Sequence, residues 1–328
     1  MTEGKTQMKD VKDIKRVTCF GGGMIGSSWA LNFAMYDREV MLYDVSDESL
    51  ELASNRIQAA LQILKKNGVM DDDRVAAAFS RIHMTKDPQE ALTGTNYIQE
   101  SGPENFPAKH GIVDLVEKYA PADAIYGSST SYMNISDICA NALHRERYIG
   151  AHPYNPPHLI PLVELTKHDG TDPAVLQLAY DFFKSIHKEP VVLLKESLGF
   201  ISNRLQSVLT REMADLINRG VCSAEDCNKA VTYGPGMRWA VAGPHLIFEL
   251  ANAKGYGALL QNIKGSGINV LTETATWTET PKEVFPKILD GIEQMKAHMP
   301  DEIGHTIPEL SDWRDDMLIG ILKLHHKI

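Results

Sequence analysis

The sequence predicts an α/β protein: an N-terminal domain with a doubly wound, mostly parallel β-sheet, followed by an all-helical C-terminal domain. Strand-like and helix-like segments alternate over roughly the first 200 residues, which is the pattern of a parallel sheet with helices on both faces. Near residue 198 the strand signals become rare and helical periodicity takes over. The length of 328 residues also fits two domains, because one domain commonly spans ~150 residues. The predicted domains are residues 1–198 and 199–328.

The elements of the first domain follow one another along the chain. Residues 1–15 are polar and charged and are predicted to be a solvated tail. Residues 24–35 and 48–67 are predicted helices. In the second helix, apolar residues recur every three or four positions, and Gly68 ends it. The strand candidates are residues 16–21, 40–44, 97–100, 124–128, 148–150, 162–165 and 190–194.

The second domain begins with an amphipathic helix. Apolar residues from Ile201 to Ile217 form one helical stripe, which we interpret as core or dimer seam, and Gly220 stops the helix. Ser223 is then a predicted N-cap of the next helix, because its hydroxyl can accept a hydrogen bond from an unpaired backbone N–H.

Composition and charge exclude several classes of protein. Hydrophobic residues make up 43% and charged residues 23%, which excludes a disordered chain, a collagen-like chain and a small disulfide scaffold. The 33 Lys and Arg against 43 Asp and Glu leave a net charge of −10, which argues against a nucleic acid or an anionic membrane as the main partner. A small acidic substrate remains compatible, because a local Arg or Lys can override the net charge.

Cysteine usage and the N-terminal segment bear on the compartment. The four cysteines form no disulfide framework, and the close pair Cys222 and Cys227 has no His or Cys cluster around it, so no metal site is predicted. The N-terminal segment lacks the apolar stretch of a signal peptide, and no window approaches 18 apolar residues. We therefore expect a cytoplasmic protein.

A glycine-rich segment, GGGMIG, fits the G-x-G-x-x-G pattern of a Rossmann-type dinucleotide site. It follows a predicted strand and opens a predicted helix, which is the context that the pattern requires. The helix N-terminus can offer unpaired N–H groups to a pyrophosphate. A glycine-rich turn that serves another ligand is the alternative. The predicted cofactor-contacting residues of this segment are Gly21, Gly23, Met24, Ile25 and Gly26.

Asp44, at the end of the second predicted strand, indicates which dinucleotide is bound. Its carboxylate can accept hydrogen bonds from ribose hydroxyls and would repel a 2′-phosphate. No Arg follows it to pair with such a phosphate. The sequence therefore favours NAD over NADP.

Candidate catalytic residues follow the strand that ends near residue 128. His152 and Glu164 flank a proline-rich segment. A histidine that is oriented by a carboxylate is a common general base for removing a hydroxyl proton. From the residues alone this pairing is a hypothesis, since a single histidine can equally be structural.

Several further motifs accompany the glycine pattern: SSTS at 128–131, HPYNPPHLIPLVEL at 152–165, GFISNRL at 199–205, GMRWAVAGP at 236–244 and DWRDDML at 312–318. As a set they resemble the 3-hydroxyacyl-CoA dehydrogenase superfamily over nearly the whole chain. The spacing matches as well, with 21 residues from Ser131 to His152 and 12 from His152 to Glu164. The chain looks most similar to the L-gulonate 3-dehydrogenase and lambda-crystallin branch, although carnitine dehydrogenases share a similar G-x-R-W-A stretch.

The resemblance implies a role for each matching residue. It implies a dehydrogenase in which His152 takes the proton of the substrate's 3-hydroxyl, Glu164 is its carboxylate partner, and NAD accepts the hydride. It also implies a homodimer formed through the helical domain. The remaining implied roles are binding of the reacting oxygen by Ser131 and Asn203, and contact with the cofactor by Glu104, Lys109, Ser131 and Asn155.

Two departures and one arginine bear on the substrate. Leu198 stands where the superfamily commonly has proline before Gly-Phe, and Ala60 stands where some acyl-CoA members have a serine that holds the CoA nucleotide. The second departure favours a free 3-hydroxy acid over a thioester. Arg238 is a candidate to bind a substrate carboxylate, or else a structural residue stacked on Trp239. The alternatives are an L-3-hydroxyacyl-CoA dehydrogenase, a carnitine 3-dehydrogenase and a non-catalytic, crystallin-like dinucleotide-binding protein.

Overall fold

A computed structural model describes residues 10–266 and 268–328 of the chain. Residues 1–9 of the predicted tail lie outside the described residues. The end of that tail differs from the prediction, because Val11–Asp13 forms a short 3-10 helix capped by Asp10, and Ile14 is buried in the core. The apolar side chains of this otherwise charged stretch are what fix it to the domain.

The first part of the chain forms one eight-stranded sheet. The strands are β1 Arg16–Phe20, β2 Glu39–Tyr43, β3 Ile82–Thr85, β4 Tyr97–Glu100, β5 Ile125–Ser128, β6 Tyr148–Pro153, β7 Leu162–Thr166 and β8 Glu189–Val192. Their order in the sheet is β3-β2-β1-β4-β5-β6-β7-β8, and every neighbouring pair is parallel except β6 and β7. This confirms the predicted fold class of a doubly wound, mostly parallel sheet.

Helices connect the strands and then continue alone. They are α1 Met24–Met35, α2 Asp47–Lys66, α3 Asp72–Ser80, α4 Pro88–Leu92, α5 Phe106–Tyr119, α6 Ile135–Ile138, α7 Pro173–Ser185, α8 Ser202–Asn218, α9 Ala224–Val231, α10 Met237–Leu250, α11 Gly255–Gly265, α12 Val284–Ala297 and α13 Ile307–Leu324. Ser46 caps α2 by accepting a hydrogen bond from the N–H of Ser49, and Ser223 caps α9 by accepting one from the N–H of Asp226, as its sequence position predicts.

Two apolar clusters hold the helices to the sheet. In one of them, Trp29 and Phe33 of α1 stack on each other, with ring centroids 5.2 Å apart, and pack against Phe182 and Phe183 of α7. The other cluster gathers side chains of β1, β4, β5 and β6 with those of α5 and α6. Burial of aromatic and aliphatic area in these clusters is the main stabilising contribution, at roughly 25 cal/mol per Å².

The chain divides into two compact units. One extends to Arg204 and also includes Ser311–Ile328, while the other is Leu205–Leu310. We predict the boundary at residue 198 and the C-terminal residues in the helical domain. In the structure the part of α13 from Ser311 onward belongs to the first unit, because Ile319 and Leu322 lie in its core and Asp316 binds Lys66 of α2.

The second unit is helical, with close packing between α9 and α12. A Cβ at Gly291 would overlap the Cβ of Ala224, so the glycine allows these two helices to approach closely.

None of the helices within residues 10–266 and 268–328 combines the length and the hydropathy that a membrane span requires.

Candidate active site

His152 on β6 and Glu164 on β7 are direct cross-strand partners in the antiparallel pair of the sheet. The imidazole Nδ1 lies 2.8 Å from Oε2 of Glu164. Both side chains are buried, His152 at 4% exposed and Glu164 at 0%. The sequence predicts β6 only as far as Gly150, but the strand continues to Pro153, and this extension carries His152 to its position opposite Glu164.

The Glu164 carboxylate is fixed on both oxygens. Oε1 accepts hydrogen bonds from the N–H groups of Ile201 and Ser202, each at 2.9 Å, and Oε2 accepts from His152 and from the Ser202 hydroxyl at 2.6 Å. Burial by itself would raise the pKa of Glu164, but hydrogen bonds from His152, Ser202 and Ile201 outweigh it and lower that pKa. Glu164 is therefore ionised and can only accept.

This arrangement determines the tautomer of His152. Because the ionised Glu164 accepts at Nδ1, that nitrogen carries the proton, and Nε2 of the neutral ring is left as an acceptor. The hydroxyl of Ser131 lies 3.2 Å from Nε2. An imidazole that donates from one nitrogen to a carboxylate and has its other nitrogen beside a hydroxyl has the geometry of a general base.

Asn203 and Tyr154 lie beside the Ser131 end of this pair. The Asn203 amide donates to the carbonyl oxygen of Ser131, and its own oxygen accepts from the Tyr154 hydroxyl, both at 3.5 Å. The structure thus brings together Ser131, His152, Glu164 and Asn203, the four residues that the sequence nominates for catalysis.

Phe200 packs against the imidazole ring of His152, with ring centroids 5.3 Å apart. It is buried and has a φ of 53°, and the preceding Gly199 has a φ of 73°. Left-handed backbone of this kind is unusual for a phenylalanine and persists only where surrounding contacts hold it. The turn after Leu198 therefore brings the N–H groups of Ile201 and Ser202 to Glu164.

The glycine-rich segment connects β1 to α1 in a tight turn. Gly21 has a φ of 112°, and a Cβ at Gly26 would overlap the carbonyl oxygen of Gly21. A Cβ at Gly23 would meet no atom within 4 Å, so the space beside this residue is open. Gly23 is the N-cap of α1 and no side chain caps the helix, which leaves its first N–H groups available for an anion. Met24 and Ile25 begin that helix.

Asp44 follows β2 and lies beside this turn. Its Oδ2 accepts a hydrogen bond from the N–H of Gly22 at 2.6 Å, and its Oδ1 accepts from Val45 at 2.7 Å. The carboxylate is thereby fixed at the end of β2, and a carboxylate has further lone pairs that can bind ribose hydroxyls. These residues fit a bound dinucleotide.

Lys109, which the resemblance places at the cofactor, lies in a buried ion-pair network, and its contact with the cofactor stays a prediction. It is 1% exposed, and its ammonium binds both oxygens of the fully buried Glu100, at 2.8 and 2.9 Å, and lies 3.3 Å from Glu104. Glu104 in turn accepts hydrogen bonds from the Thr130 hydroxyl and the Ser131 N–H. The motifs do not nominate Glu100. The signal that could identify it is its position at the end of a buried strand, nine residues before a lysine.

Asn155 and Arg238 complete the predicted set. The Asn155 amide lies 3.4 Å from the sulfur of Met24, so a residue predicted near the nicotinamide contacts the glycine-rich segment. Arg238 is exposed on α10 in the second unit. Its contact with a substrate stays a prediction.

Comparison with known families shows to which protein family the chain belongs. Residues 16–197 match the NAD binding domain of 3-hydroxyacyl-CoA dehydrogenase, and residues 199–280 match the C-terminal domain of the same enzyme. The chain belongs to the 3-hydroxyacyl-CoA dehydrogenase family. It is an NAD-dependent oxidoreductase that acts on a CH–OH group, and the predicted family, enzyme class and cofactor are confirmed.

Curated relatives of this dehydrogenase span nearly its whole length. It is 34% identical to a 3-hydroxyacyl-CoA dehydrogenase of Gibberella moniliformis, with 97% of each chain covered. It is 30% identical to an L-carnitine dehydrogenase of Oceanobacillus iheyensis, covering 95% of this chain and 98% of the relative. It is 32% identical to the lambda-crystallin homolog of Rattus norvegicus, covering 95% and 97%.

Solved structures share the fold of this family member. The structure of 5-formyl-3-hydroxy-2-methylpyridine 4-carboxylic acid 5-dehydrogenase, an NAD+-dependent dismutase, superposes with a TM-score of 0.77 at 24% identity, covering 95% of this chain and 97% of the other. A diketoreductase superposes with a TM-score of 0.65 at 24% identity, covering 90% and 95%. At these identities the comparison supports the fold alone.

Proposed function

We propose that this dehydrogenase oxidises the 3-hydroxyl of a small 3-hydroxy carboxylic acid of the L-gulonate type to the 3-keto product, with His152 as the general base. The observation that carries the proposal is the buried His152–Glu164 pair, whose free Nε2 lies 3.2 Å from the Ser131 hydroxyl. A substrate hydroxyl would bind to Nε2 of His152, either beside the Ser131 hydroxyl or in its place.

The proposed mechanism assigns one task to each side chain. Nε2 of His152 accepts the hydroxyl proton, and the ionised Glu164 stabilises the imidazolium that forms. Ser131 and Asn203 orient the reacting oxygen, so that the substrate is held in the geometry in which proton and hydride transfer can occur. When bound at the glycine-rich turn and Asp44, NAD supplies the hydride acceptor, a reaction that belongs to the cofactor itself.

The proposal of a free acid rests on what could hold the far end of the substrate. Ala60 is on α2 and packs against the core of the first unit, so this position offers no hydroxyl to a CoA nucleotide. Arg238 is proposed to bind the substrate carboxylate, since a guanidinium can hold a carboxylate through two hydrogen bonds.

L-Carnitine is a second candidate substrate, favoured by the names of several relatives, including those of Oceanobacillus iheyensis and Bacillus cereus. Carnitine is also a 3-hydroxy acid, and its trimethylammonium group is recognised best by aromatic faces. Tyr132, beside Ser131, is 58% exposed and could offer such a face. A 3-hydroxyacyl-CoA thioester and a non-catalytic, crystallin-like role are the remaining alternatives.

A substrate panel tests this proposal. NADH formation is measured with L-gulonate, L-3-hydroxybutyrate, L-carnitine and L-3-hydroxybutyryl-CoA. The proposal expects the highest kcat/KM with a free acid that lacks a quaternary ammonium. A preference of orders of magnitude for the thioester or for carnitine overturns the substrate assignment, and NAD binding without any turnover supports the crystallin-like alternative.

We further propose a homodimer formed through the second unit. Among its described residues, the buried hydrophobic ones are Ala214, Ala224, Cys227, Ala275 and Val284, which are mostly small. Large apolar side chains such as Val241, Leu250 and Leu260 are at least half exposed. An exposed apolar surface of this kind is typical of an association interface. Analytical ultracentrifugation should give the mass of two chains, whereas a monomer at micromolar concentration contradicts this proposal.

A further inference from the structure

We propose that Ser202 is a positioning residue for proton transfer at His152, because its hydroxyl and the imidazole bind the same oxygen of Glu164. The inference rests on the proposed function, in which His152 is the general base. It concerns a residue that the motifs left unassigned, since Ser202 lies within GFISNRL without a role of its own.

The contacts of Ser202 are directed at the carboxylate. Its hydroxyl donates to Oε2 of Glu164 at 2.6 Å, and its N–H donates to Oε1 at 2.9 Å. One residue thus binds both carboxylate oxygens. The hydroxyl oxygen also interacts with the side chain of Tyr154.

Sharing of Oε2 has a chemical consequence. Hydrogen bonds to an ionised carboxylate are about twice as strong as neutral ones, and each stabilises the negative charge. The Ser202 hydroxyl stabilises that charge whether His152 is protonated or neutral. It therefore reduces the additional stabilisation that the imidazolium gains from Glu164, and it favours the neutral, proton-accepting form of His152 at lower pH.

Other titratable groups lie near the pair. On the Glu164 side there is Tyr154, whose pKa is raised by burial and, in part, by the charge of Glu164. On the Nε2 side, the Ser131 N–H donates to Glu104, which pairs with Lys109. Phe200, which carries no charge, packs against the His152 ring. Within residues 10–266 and 268–328, the donors seen on Oε2 are His152 and Ser202. Apart from His152 itself, Ser202 is therefore the residue whose loss is expected to act most directly on that oxygen.

The experiment compares Ser202→Ala and Ser202→Thr with wild type in the full-length enzyme. The pH dependence of kcat/KM for oxidation of the preferred hydroxy acid gives the acid limb, and an NMR titration of the imidazole nitrogens without substrate gives the protonation of His152 directly. Ser80→Ala is the matched control, because the exposed Ser80 hydroxyl bonds the carbonyl of Ala77 in its own helix.

We expect Ser202→Ala to move the acid limb and the His152 titration upward by about half a pH unit or more, since a carboxylate with fewer donors holds a neighbouring proton more tightly. Ser202→Thr retains a hydroxyl and should titrate like wild type, as should Ser80→Ala. A Ser202→Ala titration that coincides with wild type, or moves downward, overturns the proposal, even if turnover falls.

Two further arms keep the test decisive. If Ser202→Ala does not fold, Ser202→Cys replaces it, because a thiol has the same connectivity as the hydroxyl, is somewhat larger and is a weaker donor; a shift in the same direction supports the proposal and no shift overturns it. If no hydroxy acid is oxidised, the proposed function fails, while the NMR titration still decides the effect of Ser202 on His152.

Discussion

The ammonium nitrogen of Lys188 lies 3.1 Å from the carbonyl oxygen of Ile160 and also contacts the carbonyl oxygen of Pro157, in the loop that joins β6 to β7. Lys188 is buried and lies over the ring of Trp29, and no carboxylate pairs with it among the described residues. It thus fastens the segment that carries the chain from His152 to Glu164.

Burial lowers the pKa of Lys188 from 10.5 to about 7. Between these two values the unfolded chain binds more protons than the folded one, so this group makes the folded state more stable as the pH rises from about 7 toward 10.5. We expect the free energy of unfolding of wild type, relative to Lys188→Met, to increase over that range. Urea unfolding at several pH values measures it, and a pH-independent difference between the two proteins contradicts the expected burial effect.

The ion pair of Lys109 with Glu100 gives a second prediction. Lys109→Met leaves a buried carboxylate without its counter-charge, which typically costs ~3–5 kcal/mol. We expect a loss of this size in the unfolding free energy measured without cofactor. Lys86→Met is the control, because Lys86 pairs with Asp47 on the surface and such pairs contribute up to ~1 kcal/mol. Equal effects of the two changes would show that the Glu100 pair has no special structural role.

Gly23 and Gly26 predict different outcomes for the same substitution. A methyl group at Gly23 meets no protein atom within 4 Å, whereas one at Gly26 overlaps the Gly21 carbonyl. Gly23→Ala should therefore fold with nearly unchanged stability and bind NAD at least ~10-fold more weakly, because the backbone can no longer approach a pyrophosphate. Gly26→Ala should lose ~1–3 kcal/mol of stability, as overpacked sites do. Calorimetry with NAD and thermal unfolding separate the two, and unimpaired NAD binding by Gly23→Ala would place the pyrophosphate elsewhere.

Asp44 predicts the cofactor preference. Asp44→Ser removes the charge that would repel a 2′-phosphate and removes charge-assisted hydrogen bonds worth ~1.5–3 kcal/mol each. We expect KM for NAD to rise ~10-fold or more and the preference for NAD over NADP to narrow. Asp47→Ser, on the same segment, should leave both unchanged. An unaltered preference for NAD over NADP in Asp44→Ser would mean that another group binds the ribose hydroxyls.

Much of the fold could be predicted from the sequence, because local patterns carry it. The helix predicted at residues 24–35 matches α1, and the strand predicted at 97–100 matches β4. Two elements show the limits. The sequence pattern does not predict β3, because this strand is short and only its last residue is buried. The part of α13 from Ser311 onward belongs to the first unit through contacts with α2, which lies 250 residues away in the sequence at the Lys66–Asp316 pair.

The sequence predicts the site residues that belong to motifs with a fixed spacing. It does not predict those whose role depends on their position in three dimensions. The motifs nominate His152 and Glu164, but only the register of β6 and β7 places them opposite each other. The roles of Ser202 and Glu100 depend on where a turn or a buried strand end brings a side chain, and single-sequence patterns do not encode that.

The central claim is that His152 is the proton acceptor, and His152→Gln tests it most directly, since glutamine retains polarity and approximate size without a base. General-base action contributes ~10²–10⁴-fold, so kcat for the preferred hydroxy acid should fall by that factor while the affinity for NAD, measured by calorimetry, stays near that of wild type. Turnover within a few-fold of wild type, with NAD bound normally, would contradict this account.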